Sequence, residues 1–509
     1  MSQQSYRANL SAASFPLLAS LQGRTIVVGK SDATYAPQID ANTEVTKDIG
    51  IPQLFYCHNV LPHAQGYIAV SYDQIAAASA GALHTGCLFI KDPAGNKGYV
   101  SLDTAGTLWV HTVASAVFTS KLVNAAAAGK RLSVAYVAGE SYLYVENIGC
   151  YRYNFGTALF VAVVLTGLVA ANIVGLTAAS GYMIAWDTIS VSWSSLITPT
   201  DFTPSLLTGA GGGTVENTRG KIVFCLSFAD GFYVHTTGNI VVAQYQGNIR
   251  YPFKFRDVSG SGGIQSPELA AFRSHPAFQY TYTTKGMQLI TPQGAVTTMP
   301  EVIDFIAGTV LEDFDESTLS FSYTKLNTTM KKELVVVSDR YLVISYGIQA
   351  LTHALIYDTV QKRWGKLKFT HVACFEYQLL APEIVESAKK GLAFMLSDGT
   401  IKLVNSTLDN ANAAGVAIVG KFQYVRSREI GIDVVEVENV PVSGTFNSYL
   451  LPTEDGKNFG TAIPGYLSYS GVNVRKYLFN SVSLNQSLLF KGAFHLTSLV
   501  LSFFIHGKR

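Results

Sequence analysis

Short apolar runs broken by Gly, Asn and Asp recur along most of the chain. That pattern restricts it to a sheet-built fold. Residues 98–111 (GYVSLDTAGTLWVH) read as a strand, a turn at Thr104-Ala105-Gly106, and a second strand. Residues 223–245 (VFCLSFADGFYVHTTGNIVVAQY) read as three strands. Their turns fall at Asp230-Gly231 and Thr237-Gly238-Asn239, where Gly and Asn take a positive φ most easily. Residues 391–404, with a turn at Asp398-Gly399, and residues 332–346 repeat the scheme. Residues 353–369 (HALIYDTVQKRWGKLKF) give an apolar strand ending at Tyr357-Asp358, a polar turn, then Arg363-Trp364 and another strand. Helix-period stripes are scarce, and the 27 Tyr and 28 Phe suit pleated, half-buried surfaces.

Meanders at this spacing suggest the blades of a β-propeller. In such a blade the Trp of a Tyr-Asp…Trp arrangement packs between sheets and the Asp braces the turn. The expected fold is all-β, a divergent β-propeller with an additional small β domain. A sandwich or a multi-barrel protein is the structural alternative. The expected division is an N-terminal segment over 1–50, a propeller-like body over 51–430 and a C-terminal β domain over 431–509. Four stretches depart from the hairpin pattern. Residues 266–273 (SPELAAFR) read as a short helix with Ser266 as N-cap, Pro267 at the first position and Glu268 in the first turn. Residues 309–317, with Glu312, Asp313, Asp315 and Glu316, read as a solvated acidic loop. Residues 158–176 (ALFVAVVLTGLVAANIVGL) are long enough to span a bilayer. Their valines and glycines favour two buried strands around a Thr-Gly turn. The tail from 440 to 509 ends in a very apolar strand over 496–505, which needs covering, by a neighbouring subunit on this reading.

The charged fraction is 14%, against about 25% in ordinary domains. Solubility requires charge, so a large β protein with so little of it is expected to bury surface against other subunits. The net charge of +2 excludes a strongly basic nucleic-acid binder, while leaving room for a pore that does not grip phosphates. The five cysteines, Cys57, Cys87, Cys150, Cys225 and Cys374, form no CxxC pair and indicate neither a disulfide framework nor a zinc site. The start, MSQQSYRANLSAASFPLLAS, has no signal-peptide pattern.

The sequence carries no G-x-S-x-G elbow, no phosphate-binding G-x-x-x-x-G-K-[ST] and no H-E-x-x-H. His58 and His63 flank Pro62 beside Cys57, an arrangement that reads as two ordinary histidines sooner than a metal site. Residues 209–213 (GAGGG) lack the Lys-Ser/Thr of a phosphate loop and read as a flexible or tightly packed loop. Ser101, Asp103, Gly106 and Trp109 resemble the Asp-box of sialidase-type propellers, with one residue too many between Asp and Gly. That motif is a turn device, and nothing pairs carboxylates for glycoside cleavage. Basic residues thicken toward the C-terminal half. Lys331, Lys332, Arg426 and Arg428 are candidate wall residues for a DNA path, against the plainer role of blunting strand edges.

Residues 186–213 (WDTISVSWSSLITPTDFTPSLLTGAGGG) resemble a recurring stretch in the tail nozzle or hub proteins of short-tailed bacteriophages. These are also called tail tubular or packaged-DNA-stabilising proteins. The likeness rests on Trp193, Pro199, Asp201, Phe202, Pro204, Gly209 and Gly211. It continues through residues 231–234, 239–243 and 251–255, through Tyr357-Asp358 with Arg363-Trp364, and into residues 492–499. It covers roughly residue 130 to the end. Members of that family are structural. They combine a β-propeller with added β domains and form a ring, commonly of six subunits, below the portal and adaptor. The ring retains packaged DNA and conducts it at ejection. The resemblance therefore implies a non-enzymatic virion tail protein assembled in the host cytoplasm, with no cofactor and no stable membrane insertion. Its partners would be other copies of itself, portal-side adaptor proteins, tail-fibre proteins and double-stranded DNA. The competing reading is a carbohydrate- or receptor-binding, or glycan-cleaving, propeller of a phage tail.

Overall fold

Four-stranded antiparallel meanders follow one another along the chain, each formed by strands adjacent in sequence. The computed structural model describes residues 4–9, 26–28, 54–63, 66–112, 115–299, 310–315, 317–318, 320–325, 331–378, 391–407, 410–424, 429–438, 444–453, 459–470, 474–479, 482–483, 485–496 and 498–506. Among them, blades 1 to 5 span 88–123, 132–163, 175–214, 222–257 and 270–298. Blade 6 begins at Lys331–Val337 and blade 7 at Ala373–Tyr377, which makes seven. Neighbouring first strands touch one another from blade 1 to blade 7, so the first strand of each blade is the innermost. Blade 4 shows the sequence logic. Its second strand, Gly231–Thr236, is buried at every position and reads as an unbroken apolar run. Its outer strand, Phe253–Asp257, alternates, with Lys254 and Arg256 in water.

One strand from outside this order completes the ring. The fourth strand of blade 7 is Ser71–Ala76, which precedes blade 1 and pairs with Ile401–Asn405. Tyr99 of blade 1 reinforces the seam: its hydroxyl donates to the Glu376 carbonyl (2.9 Å) and accepts from the Gln378 N–H (2.7 Å) in blade 7. Blade 6 is widened to seven strands by the hairpin Val60–His63/Gly66–Ala69 and by His495–Leu496.

The remaining strands form the two-stranded hairpin Val310–Asp315/Ser320–Lys325 and two six-stranded sheets. One contains Gln4–Asn9, Ser498–His506, Glu429–Glu438, Val474–Leu478 and Tyr466–Ser470. The other contains Ile26–Val28, Gly415–Tyr424, Asn485–Gly492 and Phe446–Thr453. Ile432, Val435, Leu450, Leu488 and Phe490 pack between them, in one continuous core with Tyr280, Leu342, Leu355 and Trp364 of blades 5 and 6. This unit begins at Gly415–Tyr424, one strand before residue 431. It also takes Leu54–His58, which the sequence reading assigned to the body.

Several expectations change. Residues 266–273 are a single 3-10 turn, Pro267–Leu269, followed by the strand Ala270–Arg273, and the Ser266 side chain makes no capping bond. Pairing with Phe278–Thr283 in blade 5 overrides the weak helix signal. The acidic stretch holds the strand Val310–Asp315, paired with Ser320–Lys325. Residues 158–176 contribute one outer strand to blade 2, Leu159–Val163, and begin the inner strand of blade 3, Gly175–Ala179. Only the inner one is buried; the outer one lies largely in water. Among the described residues no helix is long and apolar enough to cross a membrane. Gly211–Thr214 is not a loop but the outer strand of blade 3. The apolar C-terminal strand Ser498–His506 lies inside its sheet, between Gln4–Asn9 and Glu429–Glu438, so both of its edges are paired within the chain.

Carboxylates brace the turns, because a buried turn must satisfy its backbone N–H groups. Asp103 accepts from the N–H groups of Ala105 (2.9 Å) and Thr107 (2.7 Å) and from the Trp109 indole N–H (2.8 Å). The Asp-box arrangement is thus formed despite its extra residue. Asp358, fully buried, accepts from the N–H groups of Val360 and Gln361 and from the Arg340 guanidinium at 2.9 and 2.7 Å. Tyr357 and Trp364, opposite each other in blade 6, bring their rings to 4.6 Å. Glu333 is a liability. It lies on the innermost strand of blade 6, and its Oε2 is out of water with no hydrogen-bond partner. Burial, and then the charge of Glu268, push its carboxyl up to about 8.

Asp358→Ala is expected to lower the unfolding free energy by about 2–3 kcal/mol in urea titration. The loss stays below that of a fully buried pair because Arg340 still reaches water. A carboxyl whose folded pKa is raised supports folding below its ordinary range near 4.5 and progressively less as pH rises to about 8. Stability should therefore fall across that window, and Glu333→Gln should flatten the fall; an unchanged slope would reject the assignment.

Candidate assembly surface and inner wall

The loop over 194–210, between the third and fourth strands of blade 3, is held from both ends. Ser195 Oγ accepts from the N–H groups of Ile197 and Thr198, and the Asp201 carboxylate accepts from the Thr203 N–H at 2.9 Å. Thr166, in the connection leaving blade 2, bridges to Asp201. Phe202 is buried between blades 2 and 3 with Leu165, Ala135 and Met183. Pro199 and Pro204 lie on either side of that anchor and restrict the loop's backbone. Trp193 carries the contact onward, edge-on to Phe253 (5.7 Å) and tilted on Phe255 (6.4 Å) of blade 4. The close approach of Trp193 explains Gly211, where an added Cβ would sit 3.3 Å from the indole. At Gly209, φ is +75° and a Cβ would fall 2.9 Å from the Tyr182 hydroxyl. The residues Trp193, Pro199, Asp201, Phe202, Pro204, Gly209 and Gly211 therefore form one local structure, which ties blade 3 to both its neighbours. Tyr357, Asp358 and Trp364 belong to blade 6, away from it.

What this loop holds up to water is apolar. Ile197, Leu206 and Leu207 are 78%, 66% and 88% exposed, and the backbone N–H of Leu196 donates to the Thr208 carbonyl, which brings the two arms together. Val164 (80%) and Leu159 (55%) continue the surface onto blade 2, and Tyr251 (74%) onto blade 4, whose Ile249 carbonyl lies against Gly209. Residues 153–215 contain two charges, Asp187 and Asp201. At the chain's 14% average, a stretch that long would hold about nine. Asp187 is itself tied to the N–H groups of Ile189 and Ser190. Reading residues 158–176 as buried hid the outer part of this surface. The scarcity of charge from 153 to 215 was the signal that could have found it.

The four candidate wall residues separate. Lys331 and Lys332 begin the innermost strand of blade 6, and the Lys332 ammonium lies 5.3 Å from the Tyr282 ring centre in blade 5. Burial pulls the Lys332 pKa down. Arg426 and Arg428 lie outside the described residues. The first strands of blades 2, 3 and 4 (LSVAYV, GLTAA, IVFCLSF) carry no charge, whereas those of blades 1, 5, 6 and 7 carry Lys91, Arg273, Lys331 with Lys332 and Glu333, and Glu376. Cys57, Cys150, Cys225 and Cys374 are free and buried, and Cys87 is free and half-buried. His58 hydrogen-bonds Tyr56 (3.1 Å), whereas the His63 ring meets His495 at 4.7 Å. Among the described residues no three His, Cys, Asp or Glu side chains come together to hold a metal.

No family model and no curated protein matches the chain. Among solved structures it is similar to the WD40 β-propeller domain of Doa1. The likeness covers 66% of this chain and 98% of that one, at 10% identity and a TM-score of 0.41. The architecture stands on the strand pairing itself: the chain is an all-β protein, a β-propeller with an added two-sheet β unit.

Proposed function

We propose that this chain is a structural, non-enzymatic subunit of a ring-shaped tail nozzle or hub of a short-tailed bacteriophage, retaining packaged DNA and conducting it during ejection. The observation that carries the reading is the charge-poor apolar surface of blades 2 and 3, with Tyr251 of blade 4, which an isolated chain leaves in water. A ring subunit covers such a surface in the assembled tail. The sequence resemblance over residues 186–213, which form the centre of that surface, supports the same reading. In a ring the DNA path is the hole between subunits, not the axis of each propeller. A near-neutral chain suits that path, since every neutralised phosphate adds salt-dependent grip. On this reading the partners are other copies of the chain, commonly six to a ring, portal-side adaptor and tail-fibre proteins, and the passing duplex. The site of action is the virion tail, after assembly in the host cytoplasm, and no cofactor takes part.

Electron microscopy of the purified chain, alone and with virions, is expected to reveal rings with a central channel or density on the tail axis below the portal. Discrete monomers or trimers absent from that axis would overturn the proposal and favour a carbohydrate- or receptor-binding propeller. Leu207→Asp should abolish the rings while changing the unfolding free energy by no more than about 0.5 kcal/mol, because the side chain lies in water in the single chain.

A further inference from the structure

The apolar surface of blades 2 to 4 has a counterpart in the two-sheet unit. One sheet ends on the strand Tyr466–Ser470, which among the described residues pairs only with Val474–Leu478. This edge strand, YLSYS, carries no charge. Tyr466 is 74% exposed and stands opposite Leu478, which is also exposed, and Leu467 follows. Lys476, two residues before Leu478, is neutralised by Glu436 at 2.7 Å.

The first surface also includes an open edge. Gly211–Thr214 is the last strand of blade 3 and pairs, among the described residues, only with Ser190–Trp193. Sheets ordinarily guard such edges with charge. The outer strand of blade 1 carries Lys121, that of blade 4 Lys254 and Arg256, and that of blade 7 Asp73. The outer strands of blades 2, 3 and 5, LFVAV, GGGT and VTT, carry none, and of these only those of blades 2 and 3 adjoin large exposed apolar side chains. Three glycines in a row leave a strip of bare backbone bordered by Leu206 and Leu207.

We propose that these are the two halves of one head-to-tail contact between copies of this chain. The edge Tyr466–Ser470 of one copy lies along Gly211–Thr214 of the next, and Tyr466 and Leu467 cover Leu206 and Leu207. The proposal rests on the ring reading and adds its contact surfaces. A second copy is the fitting occupant because the two surfaces differ from each other. A two-fold contact would need one self-complementary patch, whereas two unlike patches on one chain give a head-to-tail series, which is a ring where the rotation per step closes and a filament where it does not. The chemistry matches as well. Each side offers backbone N–H and C=O groups in extended conformation that have no strand partner among the described residues, and the three glycines of the propeller strand have no side chains to clash with a tyrosine. Neither strand presents a charge that would be stranded on burial.

Complementation between two full-length variants tests this. Leu207→Asp disables the propeller side, and Tyr466→Asp disables the edge strand. Each alone should be monomeric by analytical ultracentrifugation, with its association constant lowered on the order of 100-fold and its circular dichroism melting curve unchanged. Mixed in equal amounts they should form dimers and stop there, since each pair joins one intact edge to one intact propeller surface and has nothing further to offer. If Tyr466→Asp forms rings as well as the unsubstituted chain does, the contact is wrong while the ring reading stands. Monomers in the mixture would likewise reject the contact. An unsubstituted chain that stays monomeric at every concentration, with no place in the virion, would remove both. Should either aspartate variant melt early, Leu206→Ser and Leu467→Ser repeat the mixture with milder changes, and dimers or their absence decides in the same way.

Discussion

Backbone pairing between Ser71–Ala76 and Ile401–Asn405 closes the ring of blades, and most of the architecture depends on it. An open fan of seven blades would leave inner strands unpacked at both ends. Closure brings Tyr99 against Phe375 and Tyr377 and buries the seam with Ala76 and Ile401. Because its partners are over three hundred residues apart, the entropy of closing the loop must be met before the contacts repay it. The individual blades carry no such burden, since each is a meander whose strands are neighbours in sequence.

The same division explains what could be read in advance. The hairpins at 98–111, 223–245, 332–346, 353–369 and 391–404 were legible because turn residues and apolar runs are local signals. The closing strand was not, because Ser71–Ala76 (SYDQIA) has an unremarkable pattern and its role is set by a partner elsewhere. The two-sheet unit was only half visible for a related reason. Its sheets take Gln4–Asn9, Ile26–Val28 and Leu54–His58 from the other end of the chain. The small helix predicted at 266–273 failed because blade 5 needed a first strand, and the pairing of Ala270–Arg273 outweighed a cap-and-proline signal of about a kcal/mol.

Of the candidate site, the residues from Trp193 to Gly211 could be singled out by type: an indole, two prolines and closely spaced glycines imply tight packing. Their setting could not. Apolar sequence is ordinarily interior sequence, and residues 158–176 look like core until the fourth strand of a blade is known to be an outer one. Nor could sequence distinguish Lys332 on a propeller's inner wall from a lysine on an outer edge, since both are single basic residues at the start of an apolar strand.

An apolar, unguarded surface on a β protein is hazardous, and its persistence constrains what it is for. The outer strands of blades 1, 4 and 7 carry charge, the usual protection of a sheet edge. Blades 2 and 3 lack it over a stretch of more than sixty residues, and the loop there is stiffened by two prolines and anchored by Phe202 and not left to collapse. A surface shaped and held in this way has already lost most of the entropy that association would otherwise cost. Rigid and uncharged, it favours one geometry of contact and is little affected by salt, unlike an exposed ion-pair interface. For the tail conduit proposed above, that insensitivity to salt would suit assembly around DNA, whose condensed counterions keep the local ionic strength high.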